Sequence, residues 1–425
     1  MNELEINRKK YCLPILLLCL FLIVFPKGGF KAGAVPLTFG YMLLALFFLI
    51  SLVGILLRKE RVIRSNIIIV IFSTIPFQIL ILLNFYSNGV SNLGMAISMI
   101  ASFIFLPWAM IMVFEYYLNK MSYSYLFKMI KWSVFIIAIY GIFLFLYFQA
   151  TGKYFEIPYL TVNIDDAGTL TDKYNMRGDI SKLISTYNNG NIYGISLLII
   201  LPLYSYLENS KVKKIIVNLS IVLTLSRTVW VGLFIYYLLK IVYINKSKIK
   251  AVLFGIVGIS GFFFAITKLL DLMQMNSSFI LDSSMGGRSE QFQLLKSIGL
   301  FSYVPFDGIG EITYVFILEF FGVIGIIFFT LAMCTPIILH FMKFNSFSKS
   351  EYKKSLVSGL IIYLLISCSD GAVQYIPVMV FYWFVVGLLL SGNPDFKTTV
   401  VNHDTINKVK SKSRKRLLPK IVWSK

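Results

Sequence analysis

Long apolar segments recur along almost the whole 425-residue chain and constrain its fold more than any other feature. A helix rises about 1.5 Å per residue, so about 20 apolar residues cross the roughly 30 Å hydrocarbon layer of a membrane. The chain is 57% hydrophobic and only 14% charged, far from the composition of a soluble domain. The sequence therefore predicts an all-α polytopic membrane protein. Its apolar segments fall at about 11–26, 36–57, 66–85, 93–118, 132–149, 191–207, 251–270, 311–340, 355–369 and 375–391.

One further apolar stretch, 215–244, carries Arg227 in the sequence LTLSRT. An arginine at the centre of a bilayer costs about 3 kcal/mol, so its position needs compensation. Read as one helix, this stretch would place the following basic loop outside the cell. Read as two short spans turning at LSRT, it puts most of the 40 Lys and Arg residues in cytoplasmic loops. We therefore expect about twelve transmembrane helices, both termini in the cytoplasm, and Arg227 at the outer face.

The same topology predicts one transmembrane domain, 1–396, followed by a basic cytoplasmic tail, 397–425. Two large extracytoplasmic loops are expected at about 150–190 and 271–310. The N-terminal sequence RKKYCLPILLLCLFLIVF resembles a secretory signal, but we interpret it as an uncleaved first span. The net charge of +20 follows from basic cytoplasmic loops, so no nucleic-acid partner is expected. The four cysteines have no metal-ligand spacing and are interpreted as packing residues.

Arginines on the predicted outer side are candidates for an anion site. Arg227 lies between Ser226 and Thr228, in a segment that must turn, and Arg288 follows two glycines at a predicted helix start. Planar guanidinium groups bind pyrophosphate oxygens in pairs. Alternatives stay open, since Arg227 would also snorkel to headgroups at a helix end and Arg288 would suit a loop surface. Arg177 is a weaker candidate because the nearby Asp179 would simply pair with it.

Carboxylates on the same side are candidates for a general base. Glu311 follows PFDGIG where the chain enters its next span, and Asp307 is the second choice. The alternative for Glu311 is a helix N-terminal carboxylate that complements the helix dipole. The two histidines, His340 and His403, fall on the cytoplasmic side. No nucleotide-binding motif and no metal-spaced cluster is present, so we expect no cofactor and no metal.

Three motifs together resemble the O-antigen polymerase and O-antigen ligase superfamily. They are NNGNIYGISLLIILPL, LTLSRTVWVG, and GGRSEQFQLLKSIG followed by PFDGIGEITYVFILEFFGVIG, and they cover about 186–330. The resemblance implies a bacterial inner-membrane enzyme that uses undecaprenyl-pyrophosphate-linked oligosaccharide, and a pathway flippase and a chain-length regulator as further partners. Arg227 looks like the arginine of the family's helix break, and Arg288 like the arginine that opens its second large outer loop.

Two details refine the resemblance. Arg288 is followed after ten residues by Gly299, which is similar to a loop pattern of the polymerases, whereas Arg177 has Asn188 at that spacing. Ligases commonly carry a His-Asn pair where this chain has Glu311 and Ile312. The missing histidine favours a polymerase over a ligase.

The predicted activity is an inverting, metal-independent transfer of a growing glycan from its carrier to a second lipid-linked repeat unit. Tyrosines in the outer loops, Tyr154, Tyr159, Tyr187 and Tyr303, are candidates for stacking on sugars, although loop tyrosines are more often packing residues. A ligase and a lipid-linked oligosaccharide flippase or transporter are the alternatives. Transporters usually have paired broken helices and inverted repeats, and the sequence indicates one broken segment and no repeat. A receptor is a remote third reading.

Overall fold

The computed structural model describes residues 12–32, 35–57, 64–118, 120–170, 175–177, 180–244, 268, 298–302, 304–306, 310–342 and 350–391, and most of this part is helical. The helices are α1 (Cys12–Val24), α2 (Phe39–Leu56), α3 (Ser65–Asn88), α4 (Leu93–Leu118), α5 (Tyr123–Thr151), α6 (Gly190–Leu207), α7 (Lys211–Val222), α8 (Arg227–Leu239), α9 (Thr313–Phe341), α10 (Glu351–Ile366) and α11 (Ile376–Leu390). A π-helical turn, Lys240–Ile244, continues α8.

Each predicted apolar segment within the described residues lies on a helix, whereas 251–270 falls outside them except for Lys268. Six helices, α2 to α6 and α9, are long and apolar enough to cross a membrane. The protein is therefore helical and built for a membrane. The count of twelve spans and the side on which each loop lies stay predictions. The predicted tail, 397–425, lies outside the described residues.

Helices α6, α8, α10 and α11 pack together at the centre of the molecule. Nearly every residue of α6 and α11 is buried, as expected for helices surrounded by other helices. Glycines bring the backbones close: a Cβ atom at Gly359 of α10 would collide with the backbone oxygen of Ile199 in α6. At Gly232 of α8 an added Cβ would meet the side chain of Leu198. Small residues at helix contacts are the usual means of close packing in membranes.

Helix α7, which leads into the central helix α8, is much shorter than α5, against which it packs. α7 has 12 residues and α5 has 29, which correspond to about 18 Å and 44 Å. Where α7 ends, Leu223 accepts a hydrogen bond from the backbone of Leu183, whose side chain packs against Gly141 of α5. From Gly141 to the end of α5 at Thr151 the helix rises about 15 Å further. The end of α7 therefore lies about 15 Å short of the end of α5, and we call the region around this end of α7 the recess.

The structure corrects the prediction of one continuous helix at 311–340. α9 breaks at Gly322, whose φ of 70° and ψ of −165° are not helical. The backbone N–H groups of Val323 and Ile324, freed by the break, donate to the carbonyls of Gly299 and Leu300 at 3.3 Å and 3.1 Å. A glycine is required here because a Cβ atom would lie 2.7 Å from the carbonyl oxygen of Leu300. The expectation of only one broken segment was therefore wrong.

The predicted loop at 150–190 is present as a long connection from Gly152 to Asn189, with 3-10 turns at Ile164–Asp166 and Ser185–Tyr187. It contains the short antiparallel pair β3 (Met176–Arg177) and β4 (Ile180–Ser181). A second hairpin, β1 (Gly29–Ala32) with β2 (Val35–Thr38), leads from α1 to α2. Lys31 of β1 donates to Asp166 at 2.6 Å, so this hairpin is tied to the long loop.

Candidate functional site

The break between α7 and α8 forms the floor of the recess. Leu225 adopts a left-handed conformation with φ of 50°, which ends the helical path and redirects the chain. The carbonyl of Val222, freed by the break, accepts a hydrogen bond from the indole N–H of Trp230 at 2.8 Å. The carbonyl of Leu223 accepts one from the backbone of Leu183 at 3.0 Å. The protein thus satisfies the exposed backbone groups itself, which is a requirement for irregular structure at membrane depth.

Arg227 is the first residue of α8 and is half-buried. The predicted turn at LSRT is confirmed, because α7 ends at Val222 and α8 begins at Arg227. Ser226 takes the N-cap position and is buried, although its hydroxyl makes no cap hydrogen bond among the described residues. The helix start adds its own partial positive charge to that of the guanidinium. This end of α8 therefore favours an anion.

The NNG sequence before α6 reaches the same floor. Asn188 is left-handed with φ of 60°, and the Asn189 side chain accepts hydrogen bonds from the first N–H groups of α6. At Gly190 an added Cβ would lie 3.1 Å from the carbonyl oxygen of Leu183 and 3.3 Å from that of Thr224. Glycine therefore lets the start of α6 approach the break closely. This is the physical use of the motif that the resemblance identified.

The connection between α10 and α11, residues 367–375, closes the floor from the other side. The Ser369 and Thr228 hydroxyls are hydrogen-bonded at 3.1 Å, which ties this connection to the first turn of α8. Asp370 is buried and accepts hydrogen bonds from the side-chain amide of Asn191 at 2.9 Å and the backbone of Ala372 at 3.2 Å. Asp370 therefore holds α6 and this connection together beside Arg227.

Sequence reasoning missed Asp370, although a signal was present. The segment SCSDG interrupts two apolar spans at the predicted outer side, and an acidic residue there needs a reason. The list of outer carboxylates was drawn from the two long loops only. A short loop between central helices is equally able to reach the site, because its position is fixed by packing on both sides.

Glu311 lies at the same end, just before α9, and its residue is exposed. Its backbone carbonyl accepts a hydrogen bond from Gly371 at 3.3 Å, so it is tied to the Asp370 connection. Burial raises the pKa of the Tyr375 hydroxyl, and the nearby carboxylates of Asp370 and Glu311 raise it further. Two carboxylates thus face one tyrosine at the start of α11.

Among the buried polar groups of this region that have no hydrogen-bond partner in the described residues, two belong to residues that are themselves almost fully buried. They are the hydroxyl oxygen of Thr313, in the first turn of α9, and the amide nitrogen of Gln374. Both residues are more than nine-tenths buried. Buried polar groups in folded proteins are normally satisfied by protein, water or ligand. These atoms therefore offer binding capacity close to Glu311 and Asp370.

The positive charge at this end comes from helix starts and basic residues, and the carboxylates of Asp370 and Glu311 lie at the same end. Four helices, α6, α8, α9 and α11, begin here, and each contributes the positive end of its dipole. Lys182, buried just before the NNG motif, packs against Gly190 through its Cβ. Among the described residues no three His, Cys, Asp or Glu side chains are placed to hold a metal. The arrangement suits an anion held by protein cations and helix ends.

Other predicted site residues are not brought into this group. Tyr187 is fully buried, and its hydroxyl donates to the backbone oxygen of Ile23 at 2.8 Å, so its ring has a packing role and no free face for a sugar. Tyr154 is almost fully buried, and this burial raises the pKa of its hydroxyl to about 12. The side chain of Tyr159, in contrast, is exposed. Only the backbone of Arg177 is described, in β3. Three further predicted residues lie outside the described residues: Arg288, Tyr303 and Asp307.

No family model matches this chain, and no curated protein matches it. The resemblance to the polymerase and ligase superfamily therefore rests on the quoted motifs and remains a prediction.

Proposed function

We propose that this protein is a bacterial polysaccharide polymerase of the O-antigen polymerase and ligase superfamily. It joins undecaprenyl-pyrophosphate-linked oligosaccharide repeat units at the outer face of the cytoplasmic membrane. The observation that carries the proposal is the position of Arg227. It opens α8 at a helix break, in a recess where the connection carrying Asp370 and the start of α9 after Glu311 also meet.

The reaction forms a bond between an acceptor hydroxyl oxygen and the anomeric carbon of the donor glycan. The bond from that carbon to the carrier pyrophosphate breaks, and the pyrophosphate leaves with the electron pair. Arg227 and the start of α8 stabilise the negative charge that grows on the leaving group, so no metal is required. Arg288 has the same role in the family pattern. A single displacement inverts the anomeric configuration.

The proton of the acceptor hydroxyl needs a base. Glu311 is exposed toward solvent and is our candidate, with Asp307 as the second choice. Asp370 is a positioning residue, because its carboxylate is engaged by Asn191 and Ala372. Rigid placement of the connection beside Arg227 is worth a large factor in rate, since small misplacements of reacting groups are costly.

The recess suits a substrate that is part lipid and part sugar. The break before Arg227 lies about 15 Å below the end of α5, which supports a substrate whose pyrophosphate is attached to a membrane-embedded chain. The long loop Gly152–Asn189 lies above it and supplies polar surface for the glycan. Flippase and chain-length regulator of the same pathway remain the expected protein partners.

A second candidate, a flippase for the same lipid-linked units, is favoured by one specific observation. The breaks at Leu223–Ser226 and at Gly322 give the protein two interrupted helices, which is a common feature of transporters. A ligase is a third candidate. It is disfavoured because this chain has Glu311 and Ile312 where ligases commonly carry a His-Asn pair.

The experiment is the length profile of surface polysaccharide on gels. Cells carry the gene, lack it, or carry Arg227→Ala, and immunoblots compare the amount of protein in the membrane. A polymerase predicts that the deletion and Arg227→Ala both reduce the product to single repeat units. Long polymer left on the carrier would indicate a ligase. Single units trapped on the cytoplasmic side would indicate a flippase.

A further inference from the structure

A lateral cavity of about 320 Å³ lies between α1 and the first half of α5. Its end at Tyr125 and Lys128 is separated from Arg227 by the length of α7, because Cys12 and Ser122 meet where α1 and α5 begin, and Arg227 lies beyond the other end of α7. The lining is mostly apolar, and the only charged side chain in it is Lys128. Its residues are Leu16, Leu20, Val24, Tyr125, Lys128, Met129, Trp132, Ser133 and Ile136.

The cavity has the length of one leaflet. Lys128, Trp132 and Ile136 follow one another along the exposed face of α5. From Lys128 to Ile136 the helix rises about 12 Å, close to half of the roughly 30 Å hydrocarbon layer. A lipid chain lying along Trp132 and Ile136 would therefore place its headgroup beside Lys128.

Cations cluster at the headgroup end. The ammonium of Lys213, from α7, lies 4.9 Å from the ring centre of Trp132 and 5.1 Å from that of Phe135. Lys131 lies 3.9 Å from the carboxylate of Glu208. Among the described residues, three lysines, Lys128, Lys131 and Lys213, thus outnumber the one carboxylate that faces them, Glu208. The local charge is positive, so it complements an anionic headgroup and gives a zwitterionic one no advantage.

Aromatic side chains mark the same level. Trp132 and Tyr125 are exposed on the face that lines the cavity. Tryptophan and tyrosine are enriched where hydrocarbon meets headgroups. Along its length the cavity therefore presents lysines, then interfacial aromatic side chains, then an apolar channel of leaflet length. A membrane lipid has its headgroup, interfacial region and acyl chain in the same order.

We propose that this groove binds one anionic phospholipid of the cytoplasmic leaflet, with a phosphatidylglycerol-type headgroup at Lys128 and Lys213 and an acyl chain along Trp132 and Ile136. This site is separate from the recess and does not rest on the proposed function. The lipid fastens α1 to α5 at the cytoplasmic end.

Trp132 itself reports occupancy. The protein is reconstituted in phosphatidylcholine nanodiscs that contain a minor fraction of phosphatidylglycerol, with bromine on the acyl chains of one lipid or the other. Brominated chains quench a tryptophan that they touch. Subtracting the emission of Trp132→Phe isolates the signal of Trp132 from that of the other four tryptophans.

We expect brominated phosphatidylglycerol to quench Trp132 more strongly than brominated phosphatidylcholine at the same mole fraction. Lys128→Gln is expected to lower the preference about fivefold, and adding Lys213→Gln to abolish it. The control Lys153→Gln, at the other end of α5, should leave the preference unchanged. Size-exclusion profiles check that each variant is folded.

Equal quenching by the two brominated lipids would overturn the proposal, because the groove would then hold ordinary annular lipid. A competition experiment adds an unlabelled lipid and follows the relief of quenching by brominated phosphatidylglycerol. If undecaprenyl phosphate relieved quenching at a lower mole fraction than phosphatidylglycerol, the site would prefer a carrier lipid and the proposal would be overturned. Relief by phosphatidylglycerol alone would support it.

Discussion

Leu225 and Arg227 show how a costly conformation and a costly charge are combined at one point. A leucine in the left-handed region is rare outside turns, and a half-buried arginine is costly in a membrane. The broken backbone is tolerated because Trp230 and Leu183 satisfy the carbonyls that the break exposes. The protein therefore holds the backbone on which Arg227 lies in place through its own hydrogen bonds.

Replacing Asp370 with asparagine tests its positioning role. The change keeps the shape of the side chain but removes the negative charge that accepts from Asn191 and Ala372. We expect polymerisation in isolated membranes to fall about 10- to 100-fold at an unchanged amount of protein. Glu351→Gln, at the other end of α10, is the matched control and should retain the wild-type rate. A wild-type rate in Asp370→Asn would remove Asp370 from the account.

Glu208 lies at the opposite end of the molecule, and its surroundings predict that the stability of the fold depends on pH. Burial acts to raise its pKa, but the backbone N–H groups of Ser210 and Asn209 and the lysines Lys131 and Lys213 outweigh burial, so the pKa is lowered. A carboxyl group with a lowered pKa stabilises the fold above its unfolded-state pKa and loses this contribution as the pH falls.

Glu208→Gln is therefore expected to destabilise the protein by about 1–3 kcal/mol near pH 7. The difference from wild type should shrink as the pH falls to about 4 and below, because the unfolded state, with its ordinary glutamate pKa, takes up a proton before the native state does. Thermal unfolding in detergent at the two pH values measures this difference. A difference that is the same at both would show that the charge of Glu208 is not responsible.

Broken and short helices determine the architecture at the scale of elements. The breaks in the α7–α8 stretch and in α9 both have their freed backbone groups satisfied by residues from elsewhere in the chain. In α9, Asn84 of α3 also donates to the carbonyl of Phe320 at 3.1 Å. These interruptions are therefore part of the fold, and the one before Arg227 creates a helix start at the recess.

Gly359→Ala tests the close packing of α6 against α10. An added Cβ would meet the backbone oxygen of Ile199, which cannot move aside as a side chain can. We expect a loss of about 1–3 kcal/mol of stability, seen as a lower midpoint of thermal unfolding in detergent. Leu365→Ala, on the exposed face of the same helix, is the control and should change the midpoint less. The reverse order would contradict the packing described for α6 and α10.

The sequence predicted different elements to different degrees. Hydropathy located the helices, because a membrane span must be apolar along its whole length, and loop charge located the turn at LSRT. The break at Gly322 was missed because FFGVIG is as apolar as its surroundings. Asp370 was missed because its role depends on α6 and α8, which lie far away in the chain. Arg288 and Asp307 remain predictions, since they lie outside the described residues.

At the scale of the whole molecule, the recess and the lysines of the groove between α1 and α5 lie at opposite ends of α7. Lys213 is near the start of this helix and Val222 is its last residue. Arg64, before α3, donates to the carbonyl of Leu390 where α11 ends, so the start of α3 and the end of α11 share one end. The start of α11 and the end of α3 consequently share the other. The positive-inside rule then predicts that the recess lies at the outer face.

This orientation predicts the labelling of introduced cysteines in whole cells. In a background with the exposed Cys368 replaced by serine, Val90→Cys and Lys153→Cys should react with a membrane-impermeant maleimide. Asn209→Cys and Glu351→Cys should react only after the membrane is permeabilised. The inverse pattern would place Arg227 in the cytoplasm and contradict the proposed reaction.

The most direct measurement of the central claim uses purified protein in liposomes with lipid-linked repeat units. It follows the glycan length and the release of undecaprenyl pyrophosphate for wild type and for Arg227→Ala. The account predicts that wild type releases one carrier for each glycosidic bond formed, whereas Arg227→Ala forms no polymer. Polymer of normal length made by Arg227→Ala at the wild-type rate, or transbilayer movement of units without any bond formation by wild type, would contradict it.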